Sequence, residues 1–213
     1  MRLKMMKKAV GLACAVFLVA GAAWGGLFSE DPGELTGSGQ LWLPGEGDSD
    51  LFDLGYGAGV SYREWLSFPW GLGLNLGVAQ WQVDGGSEAY KWQQLTDYRG
   101  DAALLSFGPA LYFSIIDWDN WNLTLETGVQ YVYIDSNVKV SLEGEAKDVE
   151  IDSGLIWHFG LEYEFMVAEN LYLLGGAGYQ MDLRPADTDY ELGKLRDTYL
   201  HGAFFRLGAK FLF

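Results

Sequence analysis

One feature constrains this chain more than any other. It is an alternation of period two, repeated along most of its length. In a β-strand successive side chains point to opposite faces, so each repeat splits into two sets. Over 202–213 one set is Ala203, Phe205, Leu207, Ala209, Phe211 and Phe213, all apolar. The other is Gly202, Phe204, Arg206, Gly208, Lys210 and Leu212, and both cations fall in it.

The split recurs upstream. Leu54, Tyr56, Ala58, Val60 and Tyr62 oppose Gly55, Gly57, Gly59, Ser61 and Arg63. Leu72, Leu74, Leu76 and Val78 oppose Gly73, Asn75 and Gly77. The same reading holds over 104–115, 122–133, 153–165 and 171–183, with Glu126, His158, Glu162, Glu164 and Asp182 all opposite the apolar set. A less regular eighth segment lies around 35–43, where glycine interrupts one face. Eight strands are therefore expected. The connections at 67–70, 117–121 and 168–170 are short, while those at about 44–50, 84–100, 135–150 and 184–198 are long and polar. Alternating short and long links describe an up-and-down meander with two unlike ends.

Which face is enclosed decides the class. A soluble, lipocalin-like barrel would turn its bulky apolar face inward. Here the bulky face is uniformly large, and the other is glycine-rich with isolated charges. Eight strands leave an interior only wide enough for side chains to fill, which suits small residues and a few ion pairs. In hydrocarbon every backbone group must be paired within the protein, so a spanning sheet must close on itself. The expected fold is all-β: a closed eight-stranded antiparallel up-and-down transmembrane β-barrel, apolar outside.

The first 22 residues read as a secretory signal, cleaved after Ala22 or Ala23. Arg2, Lys4, Lys7 and Lys8 precede a short apolar run and the small residues Ala20, Gly21 and Ala22. Residues 23–213 would then be the barrel, with four long external loops. Cys14, the one cysteine, lies inside the apolar run, so disulfides are not expected to brace the exported chain. The whole sequence has 14 basic and 29 acidic residues, net −15; without the four leader cations it has 10 against 29, net −19. That excess of negative charge argues against a nucleic-acid partner.

The closing stretch FFRLGAKFLF, with alternating apolar residues and a final Phe, resembles the C-terminal signal of bacterial outer-membrane β-barrels. With the leader, the chain is similar to the small eight-stranded barrels of the OmpA/OmpX/OmpW-like type. The resemblance implies a place in the bacterial outer membrane, contact with its lipid and lipopolysaccharide, and recognition by the barrel-assembly machinery through Phe205, Leu207, Phe211 and Phe213. A monomer is expected. It does not fix an activity, since one fold hosts several.

The side chains expected inside are the most informative. Arg63, Glu126, Glu162, Glu164, Asp182, Arg206 and Lys210 all fall on the enclosed face, and buried charges must be paired. An ion-pair network filling the lumen is expected, with Arg206 in reach of Gln180 or Asp182. It could act as a plug or as a gated narrow pore. Trp65, Trp70, Trp118 and Trp121 lie at strand ends and are expected to form an interfacial girdle. His158 and His201 are the only histidines. Neither sits in a His-x-Ser pattern of the kind that lipid A deacylases of this fold class resemble, so no catalytic residue is assigned. No metal or cofactor motif is found; the acidic stretches DGGSE and DSN lack calcium-loop spacing. The expected role is non-catalytic, in envelope integrity, surface interaction or limited small-solute passage. The alternatives are an OmpW-like conduit for small apolar molecules, a lipid A-modifying enzyme, and an adhesin.

Overall fold

A computed structural model describes residues 33–45, 52–84, 96–142, 145–186, 188–190, 193–194 and 200–212. The expected leader and Phe213 lie outside the described residues. Every regular element among them is a strand: β1 (Glu34–Pro44), β2 (Phe52–Ser67), β3 (Trp70–Asp84), β4 (Thr96–Trp118), β5 (Trp121–Leu142), β6 (Glu145–Ile151), β7 (Gly154–Ala168), β8 (Leu171–Arg184), β9 (Thr188–Tyr190), β10 (Gly193–Lys194) and β11 (Gly202–Leu212).

Eight of these form the barrel. The antiparallel pairing runs β1–β2–β3–β4–β5–β7–β8–β11. It closes where β11 pairs with β1, from Glu34 opposite Leu212 to Pro44 opposite Gly202. Closure leaves no edge strand in the wall, which is what a hydrocarbon surround demands. The short-turn end is tied from hairpin to hairpin. Ser114 N–H donates to the Pro69 carbonyl, Met166 N–H to that of Asn120, and Leu212 N–H to that of Asn170. Asn170 sits at φ 65°, a left-handed conformation that asparagine tolerates better than most residues.

The burial pattern follows the alternation. Along β7 it reads buried and exposed in turn for most of the strand, with Ile156, His158, Glu162 and Glu164 enclosed and Trp157, Phe159, Leu161, Tyr163 and Phe165 outside. On β11, Arg206 and Lys210 are buried, whereas Leu207 is 76% exposed. Leaving one large apolar side chain in water forgoes about 1.5–3 kcal/mol. The wall carries such residues on every strand, so it suits lipid and not water. Two outward positions on β2 depart from the pattern: Tyr62 and Glu64 are buried, and the Tyr62 hydroxyl donates to the Glu64 carboxylate.

The long-loop end differs from the sequence expectation. The polar stretches 84–100 and 135–150 were expected as loops. Instead β4 begins at Thr96, β5 runs on to Leu142, and β6 pairs back onto it, with β9 and β10 extending the same sheet. Crossing a membrane takes about 9–11 tilted residues, so β4 and β5, at 23 and 22 residues, continue well beyond it. The alternation there is short, Val138, Val140 and Leu142 against Lys139 and Ser141, and charged and polar residues flank it.

Candidate functional site

The enclosed face of the barrel is the site. The strand alternation that turns Leu, Phe and Tyr outward turns the charged residues in, and glycine keeps the wall thin where they cross. Three layers follow one another from the short-turn end to the long-loop end.

The first layer centres on Arg63 of β2. Its Nε lies 2.8 Å from Glu34 Oε2 on β1, and its Nη2 lies 2.7 Å from Glu162 Oε1 and 2.8 Å from Glu164 Oε1 on β7. The guanidinium also stands 4.4 Å from the Tyr112 ring centre, within cation–π range. Lys210 of β11 contacts Glu164, reaches Glu34 Oε1 at 3.3 Å and stands 4.7 Å from the Tyr172 ring. The second layer holds Arg206, which contacts Glu126 of β5 and lies 2.9 Å from Glu162 Oε2. Glu126 also accepts from Asn75 Nδ2 at 2.7 Å and faces His158 Nε2 at 3.1 Å. The Tyr112 hydroxyl donates to Asn75 Oδ1 at 3.0 Å. The contacts make one continuous path, Lys210–Glu164–Arg63–Glu162–Arg206–Glu126–His158. All these side chains are nearly inaccessible, Glu126 and Glu164 fully so. Charges so far from water are tolerable only when each is matched and hydrogen-bonded.

The third layer is apolar. Trp42, Trp81, Leu104, Val132, Ile134, Ile156 and Leu200 are all buried at the long-loop end. Two of its polar groups are paired: Trp42 Nε1 donates to Gln180 Oε1 at 3.0 Å, and Gln180 Nε2 donates to the Leu200 carbonyl. Two small pockets of about 40 and 30 Å3 remain in the lumen, one beside Glu126, His158 and Arg206 and one within the apolar layer, each roomy enough for a few waters.

Several expected residues stand elsewhere than foreseen. Asp182 does not meet Arg206. It accepts from Leu200 N–H at 2.8 Å and faces His201 Nδ1 at 3.4 Å, near the long-loop end. Arg206 is long enough to bypass its neighbour on β8, where Gly176 leaves its path open, and to bind the carboxylates on β5 and β7. Trp65 is not part of the outer girdle. It lies on the enclosed parity of β2, and its Nε1 donates to Glu34 at 2.8 Å. The other aromatics do face outward at the short-turn end: Trp70 and Trp118 are exposed, Trp118 meets Trp121 edge-on at 4.4 Å, and Trp70 meets Phe113 at 4.8 Å. Phe205, Leu207 and Phe211 line the outer face of β11. Glu34, Asn75, Tyr112 and Leu200 belong to the site but were not singled out in the sequence, although strand parity places the first three inside.

Among the described residues no group of three or more His, Cys, Asp or Glu is arranged to hold a metal. The lumen carboxylates are instead held by Arg and Lys.

No protein-family model matches the sequence, and no curated protein does either. Solved structures do. The outer membrane protein OprG from Pseudomonas aeruginosa superposes with a TM-score of 0.65 at 13% identity, over 86% of this chain and 96% of that one. The fold is the eight-stranded outer-membrane barrel. Two further barrels share 85–86% of the chain at TM-scores just under one half: Ail of Yersinia pestis, 16% identical over 99% of its length, at 0.48, and neisserial surface protein A, 10% identical over 97%, at 0.49. At these identities the likeness is one of barrel architecture, and the chemistry of this barrel rests on its own lumen.

Proposed function

We propose that this chain is an integral, non-catalytic protein of a bacterial outer membrane whose barrel is closed to solutes. It contributes to the envelope through its lipid-facing wall and its external surface. The observation that carries this reading is the lumen. A network of Arg63, Arg206 and Lys210 with four buried carboxylates spans it at one end, and a buried apolar layer fills it at the other. The partners on this reading are outer-membrane lipid and lipopolysaccharide, with the assembly machinery acting on β11 during insertion. A single copy suffices, because the wall has no open edge. On this reading neither histidine is given a catalytic role; His158 faces Glu126 in the lumen, and His201 faces Asp182.

A second reading is limited passage, as in an OmpW-like conduit for small apolar molecules. The apolar lining of the long-loop half, from Trp42 and Trp81 to Ile156 and Leu200, favours it. Vesicle flux separates the two. Vesicles bearing the purified barrel should admit glycerol-sized and small apolar solutes no faster than protein-free vesicles. Selective entry of small apolar solutes would favour the conduit, and entry of both classes would contradict closure. Mass spectrometry of lipid A, unchanged by the protein, tests the non-catalytic assignment.

A further inference from the structure

We infer that the lumen network binds one proton, shared between the carboxyl groups of Glu162 and Glu164, and that the barrel takes this proton from water as it folds. The inference rests on the closed-lumen reading and adds to it the charge state of the seal.

The fixed charges of the network do not balance. Four carboxyl groups, those of Glu34, Glu126, Glu162 and Glu164, are joined to three cations, Arg63, Arg206 and Lys210. None of the seven is more than 8% exposed. With every carboxyl ionised, the enclosed network would carry one uncompensated negative charge. A buried charge without a partner costs so much that the group neutralises instead. Among the described residues His158 is the one further base in contact with the network, facing Glu126 at 3.1 Å. It is a poor seat for the missing proton. An imidazolium has two N–H donors, and the buried Nδ1 of His158 has no partner. The proton therefore belongs on a carboxyl group.

The contacts single out one pair. Glu126 meets Arg206 and the N–H groups of Asn75 and His158. Glu34 meets Arg63, Lys210 and the Trp65 N–H. Both are surrounded by donors, as an ionised carboxylate requires. Within the network only Glu162 and Glu164 meet another carboxyl group, which is each other. They stand two residues apart on the enclosed face of β7, and their Oε1 atoms lie 2.7 and 2.8 Å from the same Arg63 nitrogen. Two ionised carboxylates so placed repel. One shared proton turns the repulsion into a hydrogen bond and completes the charge balance. The groups that face the pair from other strands leave this balance unchanged. Glu34 of β1, Arg63 of β2, Glu126 of β5, and Arg206 and Lys210 of β11 are already in it. Tyr112 of β4 and Tyr172 of β8, beside Arg63 and Lys210, are neutral phenols.

Infrared spectroscopy of the folded barrel at neutral pH tests this directly, because a protonated carboxyl group has a C=O band separate from those of carboxylates. Wild type should show such a band that Glu162→Gln lacks. The variant sets three carboxylates against three cations and needs no proton, and glutamine keeps the shape of the neutral acid, so the barrel should still fold. Unfolding in urea gives a second readout. From about pH 5.5 to about pH 7, above the ordinary carboxylate range, the unfolded chain does not hold this proton and the folded chain does. Raising the pH should therefore lower the folded-to-unfolded ratio of wild type, relative to that of Glu162→Gln, by about tenfold per pH unit. Carboxyl bands that do not differ between the two proteins overturn the inference, and so do parallel pH profiles. Solute flux through the wild-type barrel would instead overturn the closed-lumen reading, so the two failures are distinguishable.

Discussion

Arg63 Nη2 and Glu162 Oε1 are 2.7 Å apart, although they sit on β2 and β7, which face each other across the barrel in the closed strand order. A contact between opposite walls leaves no passage at that level. It also concentrates stability in a few charges, because Glu34 and Glu164 depend on the same guanidinium.

Arg63→Met tests that dependence. It leaves buried carboxylates short of a cation, and breaking such a pair costs about 3–5 kcal/mol. Urea unfolding in detergent should show a matching fall in midpoint. Adding Glu162→Gln should recover part of the loss, since it removes one of the stranded charges. A loss within about 1 kcal/mol, the range of exposed pairs, would mean that water reaches the network.

Leu207→Arg tests which face meets lipid. Leu207 is in the middle of β11 and is the most exposed large apolar side chain described. At the bilayer midplane an arginine costs about 2–4 kcal/mol, and this should appear as reduced stability in lipid vesicles. In a water-facing wall the same change would fall within about 0.5 kcal/mol.

The glycines divide by face. An added Cβ at Gly57 would fall 2.0 Å from the Val78 carbonyl oxygen, inside the β2–β3 ladder, whereas one at Gly37, on the outer face of β1, would meet nothing within 4 Å. Gly57→Ala should therefore lower the unfolding free energy by about 1–3 kcal/mol, as overpacking does. Gly37→Ala should stay within about 1 kcal/mol of wild type. Equal effects at the two sites would contradict the placement of β1 and β2.

Most of the barrel was legible in the sequence, for a specific reason. A membrane wall needs one apolar face along every strand, so a period of two persists in each of the eight, and even the glycine-interrupted β1 pairs in register from Glu34 to Pro44. The hairpin of β5 and β6 reads as loop because its alternation, Val138, Val140 and Leu142 on β5 with Val149 and Ile151 on β6, is short and lies among charged and polar residues. Parity also put Arg63, Glu126, Glu162, Glu164, Arg206 and Lys210 in the lumen. It could not assign their partners, because Arg206 and Arg63 reach past adjacent strands. Trp65 was misassigned by its position at a strand end, although its odd number, shared with Arg63, already turned it inward. Leu200 carries no periodic signal, since it lies outside the strands.

The most direct test of the sealed lumen is the current across a planar bilayer holding the purified barrel at neutral pH. The structure predicts no ohmic steps above the protein-free baseline for wild type, and none in Arg63→Ala alone, because Arg206 still bridges Glu126 and Glu162 and the buried apolar layer still fills the long-loop end. Large, sustained steps from the wild-type barrel would contradict it.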